Sequence, residues 1–367
     1  MFDIAFFKNT QGLKREIVGG GYGLKDVETI YSDLEMQRNR KPYLFSIETT
    51  NNCNMTCVMC PRTTKMTRKI ENMKPEVFKR VAEQITPHSL EFYEKWTGFV
   101  EQDLNIYQSD RGENPFYFFI SSQAVTMHGF GEPLFDTLLL ERVEMLTEKN
   151  IPSYFSCNPS NININKIEAL FKAGLKFIKF SIDSLSDEKM KAVRGQQADF
   201  SVAIKKILQV LDIKEKGNYP ATIVACMIKM DGDQNREAEE FIRTWKDKNV
   251  YAYIKSLDNQ WYVNDPDREK AKSHYESQYC EFAWMSMSVM VDGTVVPCTQ
   301  DFNCEMKMGN VMEQSLEEIW NSDNYKKFRM MHINGNVPKE YRCKERCDLK
   351  LVADYLTLNK AIELNDV

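Results

Sequence analysis

The sequence lacks several features that would assign it to a broad functional class. No apolar run approaches the length of a membrane span, because Lys, Asp or Glu interrupts the longest ones. The first eight residues have neither the basic region nor the cleavage site of a signal peptide. The net charge is -5 and the pI is near 5.7, which gives no basic footprint for nucleic acid. We therefore expect a cytoplasmic protein that binds neither membranes nor nucleic acids.

A phosphate-binding loop is also missing. The glycine run within 19–23 is not followed by the Lys-Ser/Thr pair that such a loop needs. Residues 1–40 are polar, and the sequence predicts a flexible N-terminal arm there. The remaining chain is long enough for one large domain and one small domain, and the 43% hydrophobic content supports a sizeable core.

Three cysteines lie close together directly after a predicted strand. Cys53, Cys57 and Cys60 form a CxxxCxxC spacing behind the apolar run 43–47. Thiolates this close indicate a shared soft metal or an iron–sulfur cluster. A four-iron cube held by three thiolates would leave one iron open to a small molecule. A structural zinc site would need a fourth ligand, and no His or Cys lies within twenty residues on either side. Three buried core cysteines are the alternative, and the polar neighbours disfavour it.

A strand–helix alternation begins at Tyr43 and implies an α/β fold with a parallel sheet and right-handed crossovers. Short β-rich runs and helical apolar spacing identify the elements. The candidate strands are 43–50, 124–130, 152–157, 176–183, 221–229 and 250–257. The candidate helices are 74–86, 136–149, 165–173, 200–216 and 236–248, with a short turn near 187–193.

The cysteine spacing after the first strand resembles that of the radical S-adenosylmethionine (SAM) enzymes. In that family the open iron chelates the amine and carboxylate of SAM, and one electron then cleaves SAM to a 5′-deoxyadenosyl radical. The resemblance implies a [4Fe-4S] cluster, SAM and an electron donor such as flavodoxin or ferredoxin. It also implies a partial (β/α)6 TIM-like barrel over 41–257, with the site at the C-terminal ends of the strands.

The same resemblance implies a set of SAM contacts. Gly131-Glu132-Pro133 is similar to the family's GGEP motif, which binds the methionine amine, although a phenylalanine replaces the first glycine. Ser181 and Asn158 are implied as ribose contacts, and Arg194 as the partner of the methionine carboxylate. Met59 stands where the family places an aromatic residue against the adenine. An ordinary turn is the alternative for 131–133, and the nearby cysteine loop disfavours it.

One connection, 87–123, is unusually long and rich in aromatic residues. Long loops in compact domains are usually functional or disordered, and the aromatic content argues against disorder. The sequence predicts either a lid over the mouth of the barrel or a structural insertion or oligomer contact.

A second set of cysteines follows the barrel. Asp292-Gly293, flanked by alternating apolar residues, predicts a hairpin that brings Cys280 towards Cys298. The spacing resembles the SPASM and twitch extensions of radical SAM enzymes, small α+β domains that hold auxiliary [4Fe-4S] clusters. We expect this domain over 258–350 and a helix or tail over 351–367. One auxiliary cluster is predicted, with Cys304 as a spare cysteine and zinc as the alternative. The predicted ligands are Cys280, Cys298, Cys343 and Cys347.

The resemblance predicts radical chemistry without naming the substrate. An auxiliary cluster that accepts an electron suits oxidation of a small polyhydroxylated metabolite, such as a sugar or an aminocyclitol. Such an oxidation needs a general base, for which Asp183, His128 and Asp301 are the candidates. Redox-neutral dehydration of a sugar, modification of a peptide, and a scaffold without turnover are the alternatives.

Overall fold

The computed structural model describes residues 1–18, 26–230, 234–256 and 280–338, together with Tyr341 and Cys343. The strands are β1 Leu44–Ile47, β2 Val125–Thr126, β3 Ser153–Cys157, β4 Phe177–Ser181, β5 Thr222–Lys229, β6 Val250–Ser256, β7 Met287–Val289, β8 Thr294–Val296 and β9 Gly309–Asn310. The helices are α1 Ile4–Asn9, α2 Gln11–Val18, α3 Val27–Gln37, α4 Pro61–Thr64, α5 Pro75–Ala82, α6 Leu90–Asp103, α7 Glu113–Phe116, α8 Leu139–Glu148, α9 Ile164–Lys172, α10 Asp187–Arg194, α11 Phe200–Lys216, α12 Asn235–Trp245, α13 Phe282–Met285, α14 Leu316–Trp320 and α15 Asp323–Ile333.

All of these strands belong to one sheet, in the order β6-β5-β4-β3-β2-β1-β7-β8-β9. The first six are parallel, and β7 joins the free edge of β1, also in parallel. The hairpin β7–β8 and strand β9 continue the sheet with antiparallel pairing. The sheet does not close among the described residues, which confirms the partial barrel predicted from the sequence.

Local sequence signals account for the βα units. Side-chain caps begin α9, α10 and α11: Asn163, Ser186 and Asp199 each accept from the backbone N–H three residues later. The six predicted strands and five predicted helices are present, and the turn near 187–193 is helix α10. Apolar side chains of the sheet and its helices form a large core, and a separate smaller cluster contains Phe116, Tyr154 and Tyr253.

The prediction of a flexible arm over 1–40 is wrong for its described part. Helices α1 and α2 lie within 4–18 and α3 within 27–37, and Ile4, Phe6 and Phe7 are buried. Phe6 stacks on Trp284 of α13, at 6.1 Å between ring centroids. Lys14 forms a buried ion pair with Glu281. The arm is ordered because its apolar face packs on residues far away in sequence. The glycine run lies outside the described residues.

The aromatic insertion is structural rather than a lid over the mouth. It connects a helix to the start of β2, so it meets the N-terminal ends of the strands, opposite the cysteine loop. The rings of Trp96 and Phe7 pack with their centroids 5.6 Å apart. The ring of Phe116 packs on two rings of the inward face of the sheet, with centroid distances of 5.6 Å to Tyr154 and 5.2 Å to Tyr253. The insertion therefore fills the bottom of the barrel.

The predicted domain bounds 41–257 and 258–350 stay predictions, because the sheet runs through both. The predicted tail 351–367 lies outside the described residues. Within the described ranges, no helix combines the length and apolarity needed to cross a membrane.

Candidate active site

The cysteine loop follows β1 and borders a cavity of about 400 Å³ inside the barrel. Cys53, Cys57 and Cys60 all line this cavity. Arg62 holds the loop in shape, since its guanidinium donates to the carbonyl oxygens of Asn51 at 3.1 Å and Cys53 at 2.5 Å. Arg62 was not among the residues predicted from the sequence, although it lies only two residues after the third cysteine.

The three thiols have the chemistry of cluster ligands. Burial raises the pKa of all three thiols, and that of Cys60 reaches about 11. The Cys57 thiolate further raises the pKa of Cys53, and both of these thiolates raise that of Cys60. A metal is therefore needed to hold all three as thiolates at neutral pH. No three His, Cys, Asp or Glu side chains in the described part converge on a single ion. A cube with separate iron corners does not require such convergence, so the loop fits a cluster.

Glu132 lies next to the cysteine loop and is only 3% exposed. Its carboxylate accepts from the amides of Asn158 at 2.8 Å and Leu134 at 3.2 Å, and its own N–H donates to the Asn52 carbonyl at 2.8 Å. Burial raises the pKa of Glu132 to about 7. A carboxylate with amide partners alone retains acceptor capacity for an amine, which fits the predicted SAM contact.

Only glycine fits at residue 131, where the loop after β2 touches the loop after β1. A Cβ built at this residue would lie 2.2 Å from the carbonyl oxygen of Thr50. The peptide before Glu132 therefore packs directly on the chain that leads into the cysteine loop.

The end of α10 is bonded to the cysteine loop from the other side. The amides of Thr56 and Val58 donate to the carbonyls of Arg194 at 3.1 Å and Val193 at 2.9 Å. Gly195 ends the helix with φ of 95°, and its Cα faces Thr56. These two hydrogen bonds fix the position of Cys57, which lies between Thr56 and Val58, relative to the end of α10.

The Arg194 side chain lines the cavity and forms an ion pair with Asp183, with Nε–Oδ2 at 2.6 Å. Its Nη1 is 3.9 Å from the sulfur of Cys57. Arg194 was predicted from the sequence to bind the SAM carboxylate, and its pair with Asp183 was not predicted. Asp183 is fully buried and also accepts from the Ile228 amide at 3.0 Å.

The other predicted SAM contacts also converge on the cavity, with one exception. Ser181, Asn158 and Met59 line it, whereas Pro133 does not and instead begins a short 3-10 helix. The Ser181 hydroxyl is 3.1 Å from the hydroxyl of Ser156. Asn158 donates its side-chain amide to the sulfur of Met55 at 3.2 Å.

The three candidate bases differ in position. Asp183 and Asp301 do not line the cavity, and Asp301 accepts from the amides of Glu305 and Met306 at 2.8 and 2.7 Å. His128 does line it, and burial together with Lys179 lowers its pKa to about 3. Its Nδ1 accepts from the Ser156 amide at 3.1 Å, so Nε2 carries the proton. This geometry makes His128 a donor to a ligand rather than a base.

Two lysines on the inward face of the barrel were missed. Lys179 of β4 and Lys255 of β6 both line the cavity. Each lies in a strand at the alternate position that faces inward, so the period-2 pattern of the strands carried the signal.

The second cysteine set lies beside the same cavity. Cys280 and Cys298 are buried, and Thr299 and Gln300 form part of the cavity wall. Tyr325 fits a cluster there: burial raises the pKa of its hydroxyl, both thiolates raise it further, and the hydroxyl has no hydrogen-bond partner among the described residues. A cluster sulfur would accept such a donor.

The remaining cysteines of this set are placed differently. The sulfur of Cys343 is 3.5 Å from that of Met306. Cys304 has φ of 59°, and burial raises its pKa to about 12, while Arg68 lowers it. The predicted ligand Cys347 lies outside the described residues.

Comparison with known proteins assigns the family. Residues 119–244 match the Radical SAM superfamily, and residues 280–348 match SPASM, an iron-sulfur cluster-binding domain. The chain is a radical SAM enzyme that carries a SPASM-type cluster domain. Its cofactors are SAM, the SAM-binding [4Fe-4S] cluster and auxiliary iron–sulfur clusters in the SPASM domain.

Two relatives align over most of their length. The S-adenosyl-L-methionine-dependent 2-deoxy-scyllo-inosamine dehydrogenase of Niallia circulans is 23% identical over 82% of this chain and 91% of its own. The tungsten-containing aldehyde ferredoxin oxidoreductase cofactor-modifying protein of Pyrococcus furiosus is 21% identical over 85% and 90%. The solved structure of anSMEcpe with bound AdoMet has a TM-score of 0.50 at 14% identity, covers 83% of this chain and 86% of that chain, and supports the fold.

Proposed function

We propose that this enzyme oxidises a hydroxyl group of a small polyhydroxylated metabolite, such as a sugar or a cyclitol. One observation carries the proposal: the cavity of about 400 Å³ extends from the cysteine loop to Thr299 and Gln300, directly after Cys298. A substrate there would lie between two cluster positions. The dehydrogenase named among the relatives acts on a molecule of this kind.

The ligand assignment belongs to the same proposal. Cys53, Cys57 and Cys60 would hold the SAM-binding cluster, with SAM against Gly131-Glu132-Pro133, Met59, Asn158, Ser181 and Arg194. The auxiliary cluster would be held by Cys280, Cys298, Cys343 and Cys347. A flavodoxin or ferredoxin would supply the first electron.

When bound, these groups would supply hydrogen abstraction by a 5′-deoxyadenosyl radical and an acceptor for the electron left on the substrate. The hydroxyl proton would pass to solvent in the cavity, because Asp183 and Asp301 do not line it and His128 is a donor. The chain itself would position the substrate. The hydroxyls of Ser156 and Ser181 and the Nε2–H of His128 offer polar contacts on adjacent strands. Such groups suit a substrate with several hydroxyls, because each buried polar atom then finds a partner.

Product analysis tests the proposal. Oxidation leaves a ketone and consumes one SAM per turnover, whereas elimination leaves a dehydrated product with no net electron change. In reconstituted enzyme under anaerobic conditions, we expect Cys57→Ala to abolish 5′-deoxyadenosine formation. Cys343→Ala should retain SAM cleavage and lose the ketone, because only the second electron transfer is blocked.

Cys226→Ala is the matched control, since this buried cysteine of β5 is not a predicted ligand. It should retain both 5′-deoxyadenosine and ketone. Normal SAM cleavage by the Cys57→Ala enzyme would contradict the cluster assignment, and a dehydrated product from the unmodified enzyme would contradict the dehydrogenase.

A further inference from the structure

Five charged side chains line the active-site cavity among the described residues. Three of them have a partner of opposite charge. The pairs are Glu48–Arg68 at 2.7 Å, Arg194–Asp183 at 2.6 Å and Lys255–Glu113 at 3.6 Å. The other two are Glu132, which is predicted to take the amine of SAM, and Lys179.

Lys179 is half-buried on β4, between Ser156 of β3 and Val224 of β5. In the part of the chain that the structure describes, no carboxylate lies within 4.0 Å of its Nζ. Its ammonium lies over two aromatic rings, 4.9 Å from the centroid of Phe116 and 5.7 Å from that of Tyr154. These rings stabilise the cation without neutralising it.

The position of Lys179 separates it from the predicted SAM contacts. It lies two residues before Ser181, deeper in the barrel, whereas Gly131 and Glu132 follow the end of their strand. The pKa of His128 is lowered first by burial and then by Lys179, so the two side chains lie close enough to interact. An anion bound here would lie inside the barrel, beyond the SAM motif.

We propose that the substrate carries a carboxylate or phosphate group that binds Lys179. This inference rests on the proposed function and narrows its substrate class to anionic hydroxylated compounds. A half-buried ammonium without a carboxylate partner is stabilised by an anion and destabilised by a second cation. A positively charged aminocyclitol is therefore disfavoured.

The test compares four probes in the reconstituted holoenzyme: D-glucuronate, D-glucose 6-phosphate, D-glucose and 2-deoxy-scyllo-inosamine. We expect at least one of the two anions to bind in equilibrium dialysis and to stimulate 5′-deoxyadenosine release above the substrate-free rate. The two anionic arms distinguish a carboxylate from a phosphate substrate. Glucose and the amine should give no such stimulation.

Variants then assign the effect to the side chain. Lys179→Met should raise the KM for the active anion at least tenfold, and Lys179→Arg should restore most of it. Lys176→Met, at an exposed residue just before the same strand, should behave as the unmodified enzyme. The substrate-free rate of SAM cleavage and the Kd for SAM should be unchanged in all variants.

Each other result overturns the inference. The inference is wrong if neither anion stimulates 5′-deoxyadenosine release, or if glucose or the amine stimulates it more strongly than both anions. It is also wrong if Lys179→Met and Lys176→Met change the KM equally. A tenfold weaker SAM affinity in Lys179→Met would assign the lysine to the SAM carboxylate instead.

The same experiments distinguish a failure of the anion site from a failure of the proposed dehydrogenase function. Lys179-dependent binding of an anion with a dehydrated product would contradict the dehydrogenase and leave the anion site standing. Oxidation of glucose that does not depend on Lys179 would contradict the anion site and support the dehydrogenase.

Discussion

At the scale of single residues, Glu132 has the electrostatic setting most open to measurement. It is almost fully buried and bonds only to amides, so desolvation raises its pKa to about 7 from the ordinary 4.5. The ionised form is the better acceptor for the amine of SAM. The protonated form becomes the majority below pH 7, so SAM affinity should fall as the pH is lowered from 8 to 6.

We predict that Glu132→Gln weakens SAM binding by about tenfold at pH 8, the typical value of one charged hydrogen bond. The ratio of the two Kd values should shrink towards one at pH 6, where the native carboxyl is itself protonated. Equilibrium dialysis of labelled SAM against reconstituted enzyme measures this. The amine of SAM titrates in the same range for both proteins, so the ratio is the readout, and a ratio that does not change with pH would contradict the prediction.

The sequence predicted most of the side chains that line the cavity, but it did not predict which charged side chains pair with one another. The cysteine spacing and the Gly-Glu-Pro sequence are local patterns, and they were visible. The Arg194–Asp183 pair and the unneutralised Lys179 depend on contacts between strands distant in sequence. Such contacts leave no local pattern, so only the fold could reveal them.

At the scale of the elements, Gly131 joins the loop after β2 to the loop after β1. An added Cβ would lie 2.2 Å from the Thr50 oxygen and 2.7 Å from its carbonyl carbon, both backbone atoms that no rotamer change can move. We expect Gly131→Ala to lower the free energy of unfolding by about 2 kcal/mol, as for other overpacked sites. SAM affinity should fall at least tenfold, because Glu132 moves with the loop.

Gly98→Ala provides the control for this substitution. Gly98 lies inside α6, and nothing lies within 4 Å of its added Cβ. Alanine is the better helix former, so stability should be unchanged or higher by up to about 1 kcal/mol. Urea unfolding under anaerobic conditions compares the two, and equal midpoints would show that the close approach at Gly131 is not limiting.

The βα units were predictable because each contains its own signals: apolar spacing, caps and short strands. The first three helices were not, because α1 and α2 are only six and eight residues long and carry weak local signals. Their order comes from the contact of Phe6 with Trp284 and of Lys14 with Glu281. The same holds for the aromatic insertion, whose packing at the bottom of the barrel depends on rings of β3 and β6.

At the scale of the whole molecule, β7 pairs with β1, so the barrel and the cluster domain share one sheet. Glu48 lies at this junction and is 1% exposed. It binds Arg68 through both oxygens, at 2.7 and 2.9 Å, and accepts from the amides of Phe130 at 3.2 Å and Val291 at 3.3 Å. Arg68 donates in turn to the Phe302 carbonyl at 2.6 Å. One ion pair therefore connects the SAM motif to the second cysteine set.

We predict that Glu48→Gln lowers the free energy of unfolding by about 3 kcal/mol, because it leaves the largely buried guanidinium of Arg68 without a counter-charge. The wall formed by Thr299 and Gln300 should also shift, so the yield of product per 5′-deoxyadenosine should fall while SAM cleavage persists. Anaerobic urea unfolding and quantification of both products measure the two effects.

Two variants test whether the pair itself is responsible. Lys69→Met removes a neighbouring charge whose side chain is 81% exposed, and should change stability by less than about 1 kcal/mol. Adding Arg68→Met to Glu48→Gln should recover part of the lost stability, because the unpaired cation is then gone. If the double variant is less stable than Glu48→Gln by the full cost of a second independent loss, the two side chains act separately. The connection between the halves of the sheet would then depend on strand pairing alone.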